Sequence, residues 1–268
     1  MINRPSPSFR SLIESAHVLA DASGKAILPY FRKKIAVDNK GGAGGFDPVT
    51  AADRAAERVV ARLIAARWPD HGFVGEEYGA RGTDARYRWV VDPIDGTRAF
   101  IMGYPLWGTL IGLLDGQSPV LGLMDQPFTG ERFWSGERAA FLRRGDSAAR
   151  RLRTRSCPRI EDAVLSTTHP DLFDAGSEMQ GFLRLKARAR MTRYGGDCYA
   201  YCLLAAGHVD LVVEAGLKPH DVVALVPIIE RAGGRITTWD GKPAVAGGRI
   251  VAAGDPVLHE RAMKVLSG

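Results

Sequence analysis

The sequence DPIDGT at residues 92–97 directly follows the apolar run WVV at residues 89–91. The run predicts a buried strand, so Asp92 is expected at the carboxyl end of that strand, where ligands bind in α/β sheets. A proline and a glycine within the segment predict a tight turn, which would aim the side chains of Asp92 and Asp95 at one point. The segment therefore predicts a site built on two carboxylates.

A surface turn is the alternative interpretation of this segment, since Asp, Pro and Gly are common turn formers. Two acids that follow a buried strand favour a metal site instead. Gly96 and Thr97 also open a short helical segment, whose free N–H groups can hold an anion. Metal ligands and an anion site are thus predicted side by side.

Two adjacent acids, Glu76 and Glu77, follow another short strand predicted over residues 72–75. Glu76 would be a ligand if this strand lies beside the strand predicted at 88–92. Adjacent acids usually lie in solvent, and we expect that position for Glu77.

Two further acids lie at predicted helix starts. Asp53 follows Thr50 by three residues, which resembles a capping box at the start of a helix over 51–67. An acid in a first helical turn can also orient a water, so capping and catalysis are compatible here. Asp221 opens a helix predicted over 221–232, a position at which an acid is more often structural.

Carboxylates gathered at one place would repel each other at neutral pH without bound cations. Oxygen ligands select hard ions, so Mg²⁺ is expected, with Mn²⁺ as the usual substitute. The histidines show no HExxH-like spacing that would indicate zinc. Two Mg²⁺ ions about 3.5–4 Å apart suit the hydrolysis of a phosphate ester.

The composition is that of a globular protein, with 268 residues, 46% hydrophobic and 25% charged. A net charge of +6 could suit nucleic acid. The basic clusters at 143–155 and 184–193 lack interleaved aromatic residues, however, so we expect no nucleic-acid partner. No apolar run reaches the ~18 residues of a membrane span, and residues 1–10 lack a signal-peptide core, so no membrane partner is expected. Three cysteines without a CxxC pair indicate reduced thiols in a cytoplasmic protein.

The chain is predicted to have two halves, residues 1–150 and 151–268, divided within a polar, Arg-rich segment. Closely spaced short strands in the first half predict an antiparallel meander. Strands that alternate with helices in the second half predict a largely parallel sheet. Strands are predicted at 72–75, 88–92, 106–114, 118–124, 131–135, 139–143, 163–167, 209–214, 235–238 and 249–253. Helices are predicted near 9–20, 51–67, 177–187, 197–207, 221–232 and 256–266, and a glycine-rich flexible loop near 38–48.

Four segments together resemble the inositol monophosphatase superfamily, in that family's order and over nearly the whole chain. They are TAAD at 50–53, GEE at 75–77, DPIDGT at 92–97, and Asp221 followed by GG at 233–234. Within that superfamily, residues 96–114, 194–214 and 217–234 are similar to the histidinol-phosphate phosphatase branch. The resemblance implies a layered αβαβα fold with the active site between two subdomains, a homodimer, and inhibition by Li⁺.

The resemblance also implies a role for individual residues around two or three Mg²⁺ ions. The implied metal ligands are Glu76, Asp92, the Ile94 carbonyl, Asp95 and Asp221. Asp53 and Thr97 resemble the pair that activates the attacking water, and the amides of Gly96 and Thr97 would hold the phosphate. The implied mechanism is direct in-line attack on phosphorus by a metal-activated water, with no phosphoenzyme.

Asp197 and Glu214 are the candidate contacts to the leaving alcohol of the substrate. Histidinol phosphate has a cationic amine and an imidazole, so two extra carboxylates are sensible partners. Asp197 could equally cap the helix that follows it. We therefore expect a phosphatase for L-histidinol phosphate, which would act in histidine biosynthesis. The alternatives are a broad inositol-1-monophosphatase, then a nucleotide or fructose bisphosphatase, and, in a different class, a non-catalytic or RNA-binding protein.

One residue departs from the family pattern. His220 stands before Asp221, where the family more often has Trp or Tyr. A stacking replacement of the aromatic ring is the expected role, and a hydrogen bond to substrate is the alternative.

Overall fold

The structure, a computed structural model, describes residues 7–40 and 47–268. The loop expected near 38–48 falls largely on residues 41–46, which lie outside the described residues. The helices are α1 (Phe9–Ile27), α2 (Ala51–Arg67), α3 (Thr97–Met102), α4 (Ser177–Arg188), α5 (Asp197–Ala205), α6 (Pro219–Val222), α7 (Leu225–Ala232) and α8 (Pro256–Ser267). Short 3₁₀ turns lie at Ile160–Asp162, Pro170–Leu172 and Ala244–Ala246.

The strands of the first half form a small hairpin and a larger sheet. The hairpin pairs β1 (Val37–Asn39) with β2 (Pro48–Thr50). The other strands are β3 (Gly72–Gly75), β4 (Ala80–Arg81), β5 (Tyr87–Asp95), β6 (Gly108–Asp115), β7 (Ser118–Gln126), β8 (Glu131–Ser135), β9 (Ala140–Arg144) and β10 (Arg150–Arg151). They form the first sheet, in the order β10-β9-β8-β7-β6-β5-β3-β4. The predicted antiparallel meander runs from β5 to β10, and β3 pairs with β5 in parallel.

The second sheet is mixed. Its strands are β11 (Val164–Thr167), β12 (Met191–Tyr194), β13 (Leu211–Leu217), β14 (Arg235–Thr238) and β15 (Gly248–Ala253), in the order β12-β11-β13-β15-β14. The expected parallel pairing joins β11 to β12 and β13, whereas β15 pairs antiparallel with β13 and β14. A parallel connection needs a dozen or more residues. The segment between β14 and β15 is shorter than that, so these two strands run antiparallel.

The elements stack in five layers, as the resemblance implies. Helices α1 and α2 cover one face of the first sheet, α5 and α7 lie between the two sheets, and α4 and α8 cover the outer face of the second. A buried apolar cluster fills each interface, and the central cluster joins both sheets. β7 of the first sheet packs closely against the start of α7. A Cβ on Gly122 would collide there with the carbonyl of Ala224, so only glycine fits at this position.

The helix expected over 221–232 is two helices. Asp221 lies in α6, and α7 begins at Leu225 after a turn. Pro227 has no N–H to donate to the carbonyl of Val223, which removes a hydrogen bond that a continuous helix would need. The backbone of Val223 and Ala224 stays in the right-handed helical region, so the break is in the hydrogen bonding rather than in the backbone angles.

Among the described residues, no helix combines the length and the apolar character needed to cross a bilayer. The three cysteines, Cys157, Cys198 and Cys202, are free thiols and are buried.

Candidate active site

The turn after Val91 is part of a longer strand than expected. β5 continues through Asp92 to Asp95, and its register against β6 shifts between these two residues. The Ile94 amide donates to Asp92 Oδ1 at 3.0 Å. The hydroxyl of Thr97 donates to the Ile94 carbonyl at 3.0 Å. The register shift therefore turns both carboxylates to the same side, at the carboxyl end of β5.

The predicted short helix begins at Thr97, as expected. Gly96 is its N-cap, with φ 88°, a left-handed conformation that favours glycine. A Cβ at this position would also approach the carboxyl carbon of Asp197 within 3.2 Å. Gly96 thus serves both the turn and the approach of the second half of the chain.

Acidic side chains from three elements converge beside this turn. One carboxylate oxygen each from Asp92, Asp95 and Asp221 lies within 4.8 Å of the others. Glu76, Asp92 and His220 form a second group of the same size, so Asp92 belongs to both. These groups have the size and the ligand atoms to hold divalent cations.

The electrostatics of these acids require compensation. Burial, followed by the negative charges of Glu76, Asp95 and Asp221, raises the pKa of Asp92 well above its usual range. Burial and the charges of Asp197 and Asp221 do the same to the pKa of Asp95. The ionised forms of both acids are therefore costly unless a cation lies between them.

Glu76 lies where the sequence analysis expects it, because β3 and β5 are neighbours. Lys40 Nζ donates to Glu76 Oε1 at 2.9 Å and to Glu77 Oε1 at 2.8 Å. Although burial opposes it, the hydrogen bond and charge of Lys40 lower the pKa of Glu76. The expectation that Glu77 lies in solvent is wrong: its side chain is 5% exposed and paired with Lys40.

Glu57 holds the backbone of this turn and was missed by the sequence analysis. Its buried carboxylate accepts from the amides of Glu77 at 2.7 Å and Tyr78 at 2.9 Å. A Cβ on Gly75 would collide with Glu57 Oε1, so glycine is required there. The spacing of Glu57 one turn after Asp53 on α2 was the available signal, because it places both acids on one helix face.

Asp53 forms the predicted capping box. Its Oδ2 accepts from the Thr50 amide at 2.8 Å and from the Thr50 hydroxyl at 2.6 Å. Burial raises its pKa to about 6, and the charges of Glu77 and Glu76 add to that shift. The carboxylate is therefore fixed at the base of α2, close to the turn that carries Glu76.

Asp221 is held by the start of its own helix. The Lys218 amide donates to Asp221 Oδ2 at 2.7 Å, and His220 Nε2 lies 3.4 Å from Asp221 Oδ1. Burial raises the pKa of Asp221, while the charge of His220 opposes the shift. Asp221 thus presents one oxygen towards Asp92 and Asp95.

Asp197 is the first residue of α5, and Gly196 is the N-cap, so the alternative that Asp197 caps this helix is wrong. The side chain that caps this helix comes instead from the first sheet: Asp95 Oδ2 accepts from the Cys198 amide at 2.5 Å. Burial raises the pKa of Asp197 to about 6. A carboxylate from each half of the chain thus meets at the start of α5.

Glu214 lies on β13 and is buried. Glu214 Oε1 accepts from the Thr168 amide at 2.8 Å and the Thr168 hydroxyl at 2.5 Å, and Oε2 accepts from the Tyr201 hydroxyl at 3.1 Å. Burial, with the charge of Asp197, raises the pKa of Glu214 to about 7. No local sequence pattern identifies Thr168 and Tyr201, since both reach Glu214 from other elements.

One cavity of about 340 Å³ joins these groups. Its wall includes seven acids: Asp47, Glu76, Asp92, Asp95, Asp197, Glu214 and Asp221. Ile94, Gly96, Thr97 and His220 also line it, whereas Asp53 does not. The arrangement can bind divalent cations at one end and a polar, positively charged group at the other.

Comparisons with known proteins show the family of the chain. The sequence profile described as the Inositol monophosphatase family matches residues 9–267. The chain is 46% identical to the Bifunctional phosphatase IMPL2, chloroplastic, of Arabidopsis thaliana, over 93% of this chain and 73% of the relative. It is 35% identical to a Histidinol-phosphatase of Streptomyces coelicolor, over 97% of this chain and 98% of the relative. A solved inositol monophosphatase from Zymomonas mobilis superposes with a TM-score of 0.86 at 40% identity, over 98% of this chain and 100% of that chain.

Proposed function

This chain belongs to the inositol monophosphatase family, whose members hydrolyse phosphomonoesters, and we propose that its own substrate is L-histidinol phosphate. The products would be histidinol and inorganic phosphate, a step of histidine biosynthesis. The observation that carries this proposal is that Asp197 and Glu214 line the same cavity as the metal-binding acids. The likeness to histidinol-phosphatases supports it.

The donor set fits Mg²⁺, with Mn²⁺ as a substitute. Seven acids line the cavity against two basic side chains, Arg98 and Lys218, and all-oxygen sets suit hard ions. The first ion would be held by Glu76, Asp92 and the Ile94 carbonyl, and the second by Asp92, Asp95 and Asp221. When bound, the ions would lower the pKa of a water molecule and provide positive charge beside the leaving oxygen.

The protein groups around the phosphate orient the reaction. The amides of Gly96 and Thr97 bind the phosphate oxygens. The end of the ester that carries the amine and the imidazole then faces Asp197 and Glu214. Asp53 and Thr97 would together activate the attacking water. Thr97 lines the cavity and would contact this water, whereas Asp53 does not line the cavity and would act through other groups. Thr97 is oriented by its hydrogen bond to the Ile94 carbonyl.

Asp197 and Glu214 recognise the alcohol part of the substrate. A cationic amine and an imidazole can each donate to a carboxylate, and charge-assisted hydrogen bonds are the strong ones. Thr168 and Tyr201 fix the orientation of Glu214. A neutral cyclitol would gain less from two carboxylates.

An inositol-1-phosphatase of broad specificity is the second candidate, because the chain is similar to a solved inositol monophosphatase over its whole length. Nucleotide and fructose bisphosphates are weaker candidates. An unreactive or RNA-binding protein is a fourth, and it is disfavoured by the complete set of acids in the cavity.

Initial rates on a substrate panel test the proposal. The panel contains histidinol phosphate, inositol-1-phosphate, fructose-1,6-bisphosphate and a nucleotide bisphosphate, each with Mg²⁺ and with a chelator. We expect the highest kcat/KM for histidinol phosphate and no turnover with chelator. A rate on histidinol phosphate no better than that on inositol-1-phosphate would favour the second candidate.

The cellular setting belongs to the same proposal. Three buried, unpaired cysteines suit a reducing compartment, so we place the protein in the cytoplasm. We also propose a homodimer of two-part subunits. The division expected between residues 150 and 151 would fall after Arg151, because β10 (Arg150–Arg151) pairs with β9 in the first sheet. Light scattering on the purified chain measures the oligomeric state directly.

A further inference from the structure

His220 lines the cavity. It precedes Asp221 in α6, and its side chain is 11% exposed. A ring nitrogen of His220 lies within 4.8 Å of a carboxylate oxygen of Glu76 and one of Asp92, and those two oxygens also lie within 4.8 Å of each other. The imidazole nitrogen therefore lies close to two candidate metal ligands, Glu76 and Asp92.

This placement changes the donor chemistry of one half of the metal centre. The group of Asp92, Asp95 and Asp221 offers oxygen alone, whereas the group of Glu76, Asp92 and His220 adds a nitrogen. Imidazole nitrogen suits first-row transition-metal ions, and Mg²⁺ prefers oxygen. An aromatic Trp or Tyr, more usual at this position in the family, brings no imidazole nitrogen.

Lys40 strengthens the contrast between the two groups. Its ammonium already occupies Glu76 Oε1 at 2.9 Å, which neutralises part of the negative charge that this group offers. A hard ion is held mainly by such charge. A softer dication, bound in part by a nitrogen, depends on it less.

We infer that His220 is a metal ligand, which makes the group of Glu76, Asp92 and His220 a mixed nitrogen–oxygen site for Mn²⁺ or Zn²⁺. The neighbouring all-oxygen group, which shares Asp92, keeps Mg²⁺. The inference rests on the proposed function, because both use this cavity, and it adds a nitrogen ligand and a second kind of metal. The centre would then bind two different metals at once.

Pulsed electron paramagnetic resonance of bound Mn²⁺ tests the ligand itself. One equivalent of Mn²⁺ is added to the metal-stripped full chain, to His220→Phe, and to the control His208→Phe, which changes an exposed histidine outside the cavity. We expect nitrogen-14 coupling in the unchanged chain and in the control, and its loss in His220→Phe. Absence of coupling in the unchanged chain, or its persistence in His220→Phe, overturns the inference.

Competition titrations give an independent measurement. The dissociation constant for Zn²⁺ is expected to rise at least ~10-fold in His220→Phe, and that for Mg²⁺ by a smaller factor. Equal factors for the two metals would mean that His220 only packs against the carboxylates. If His220→Phe does not fold, as judged by circular dichroism, His220→Asn replaces it in both experiments with the same expected losses.

These readouts separate the inference from the proposed function. Nitrogen coupling without any phosphatase activity would leave the ligand in place and refute the phosphatase. Turnover of histidinol phosphate with no nitrogen coupling would refute the ligand and leave the phosphatase.

Discussion

The first sheet brings its acids to the cavity through short stretches of chain, whereas the second half of the molecule brings its acids on three separate elements. Asp92 and Asp95 lie three residues apart on β5 and are turned by a local hydrogen bond to the Ile94 amide. Asp197, Glu214 and Asp221 lie on α5, β13 and α6. The first set is placed by local geometry and the second by packing.

The hydrogen bonds of the two sets show the same difference. Asp92 accepts from the Ile94 amide two residues later, whereas Glu214 accepts from Thr168, 46 residues away. Asp95 is the exception in the first set, because it accepts from the Cys198 amide, 103 residues away. The local set sits against the metal group, where small displacements change ligand geometry. In the packed set, Asp221 belongs to the metal group, whereas Asp197 and Glu214 would face the alcohol under the proposed function. We therefore expect changes in the first set and in Asp221 to affect catalysis, and changes in Asp197 and Glu214 to affect specificity.

Asp95→Asn tests the local set and should have the largest effect. The amide keeps an oxygen that can accept from the Cys198 N–H, so the fold is retained, but a ligand charge is lost. Turnover should fall more than ~100-fold, measured as kcat with saturating Mg²⁺. Asp115→Asn, at the far end of β6 in a surface ion pair, is the control. Near-normal rates in Asp95→Asn would show that the metal assignment is wrong.

Glu57→Gln should have the second largest effect. The amide cannot accept both backbone N–H groups as the carboxylate does, so the turn that carries Glu76 loosens. Affinity for Mg²⁺ should fall about 10–100-fold, and the free energy of unfolding by about 1–3 kcal/mol. Calorimetry measures both quantities. Arg58→Gln, exposed on the same helix, serves as the control, and an equal loss in the control would contradict the role of Glu57.

Glu214→Gln tests the packed set. The shape of the side chain is retained, and the negative charge that faces the substrate is lost. KM for histidinol phosphate should rise about 10-fold, with a smaller change for inositol-1-phosphate. Glu260→Gln, in an exposed ion pair on α8, should change neither value. Equal changes for the two substrates would place Glu214 outside substrate recognition.

The raised pKa of Glu214 predicts a pH effect on stability, the smallest of the four. The model-compound pKa is 4.5 and the folded value is about 7, so the folded state holds the proton longer. Stability from this group is therefore present below pH 4.5 and is lost as pH rises towards 7. Tm of the metal-free protein should fall relative to Glu214→Gln by at most about 3 °C per pH unit across that window. Parallel Tm curves for the two proteins would contradict the shift.

Most of the fold and the metal group could be predicted because their signals are local. The DPIDGT and GEE segments accompany strands, and β3 lies beside β5, so segments of six and three residues locate Asp92, Asp95 and Glu76. The errors arise where distant residues decide. Glu77 is withdrawn from solvent by Lys40, 37 residues earlier in the chain.

The sequence by itself determined the acidic motifs, the alternation of helices and strands, and the turn that aims two carboxylates together, because each depends on neighbours along the chain. Only the tertiary structure decided that Asp95 caps α5, that Glu57 supports the GEE turn, and that His220 joins Glu76 and Asp92. These contacts link elements that are remote in sequence. Their geometry is set by how the sheets and helices pack, which periodicity and spacing do not encode.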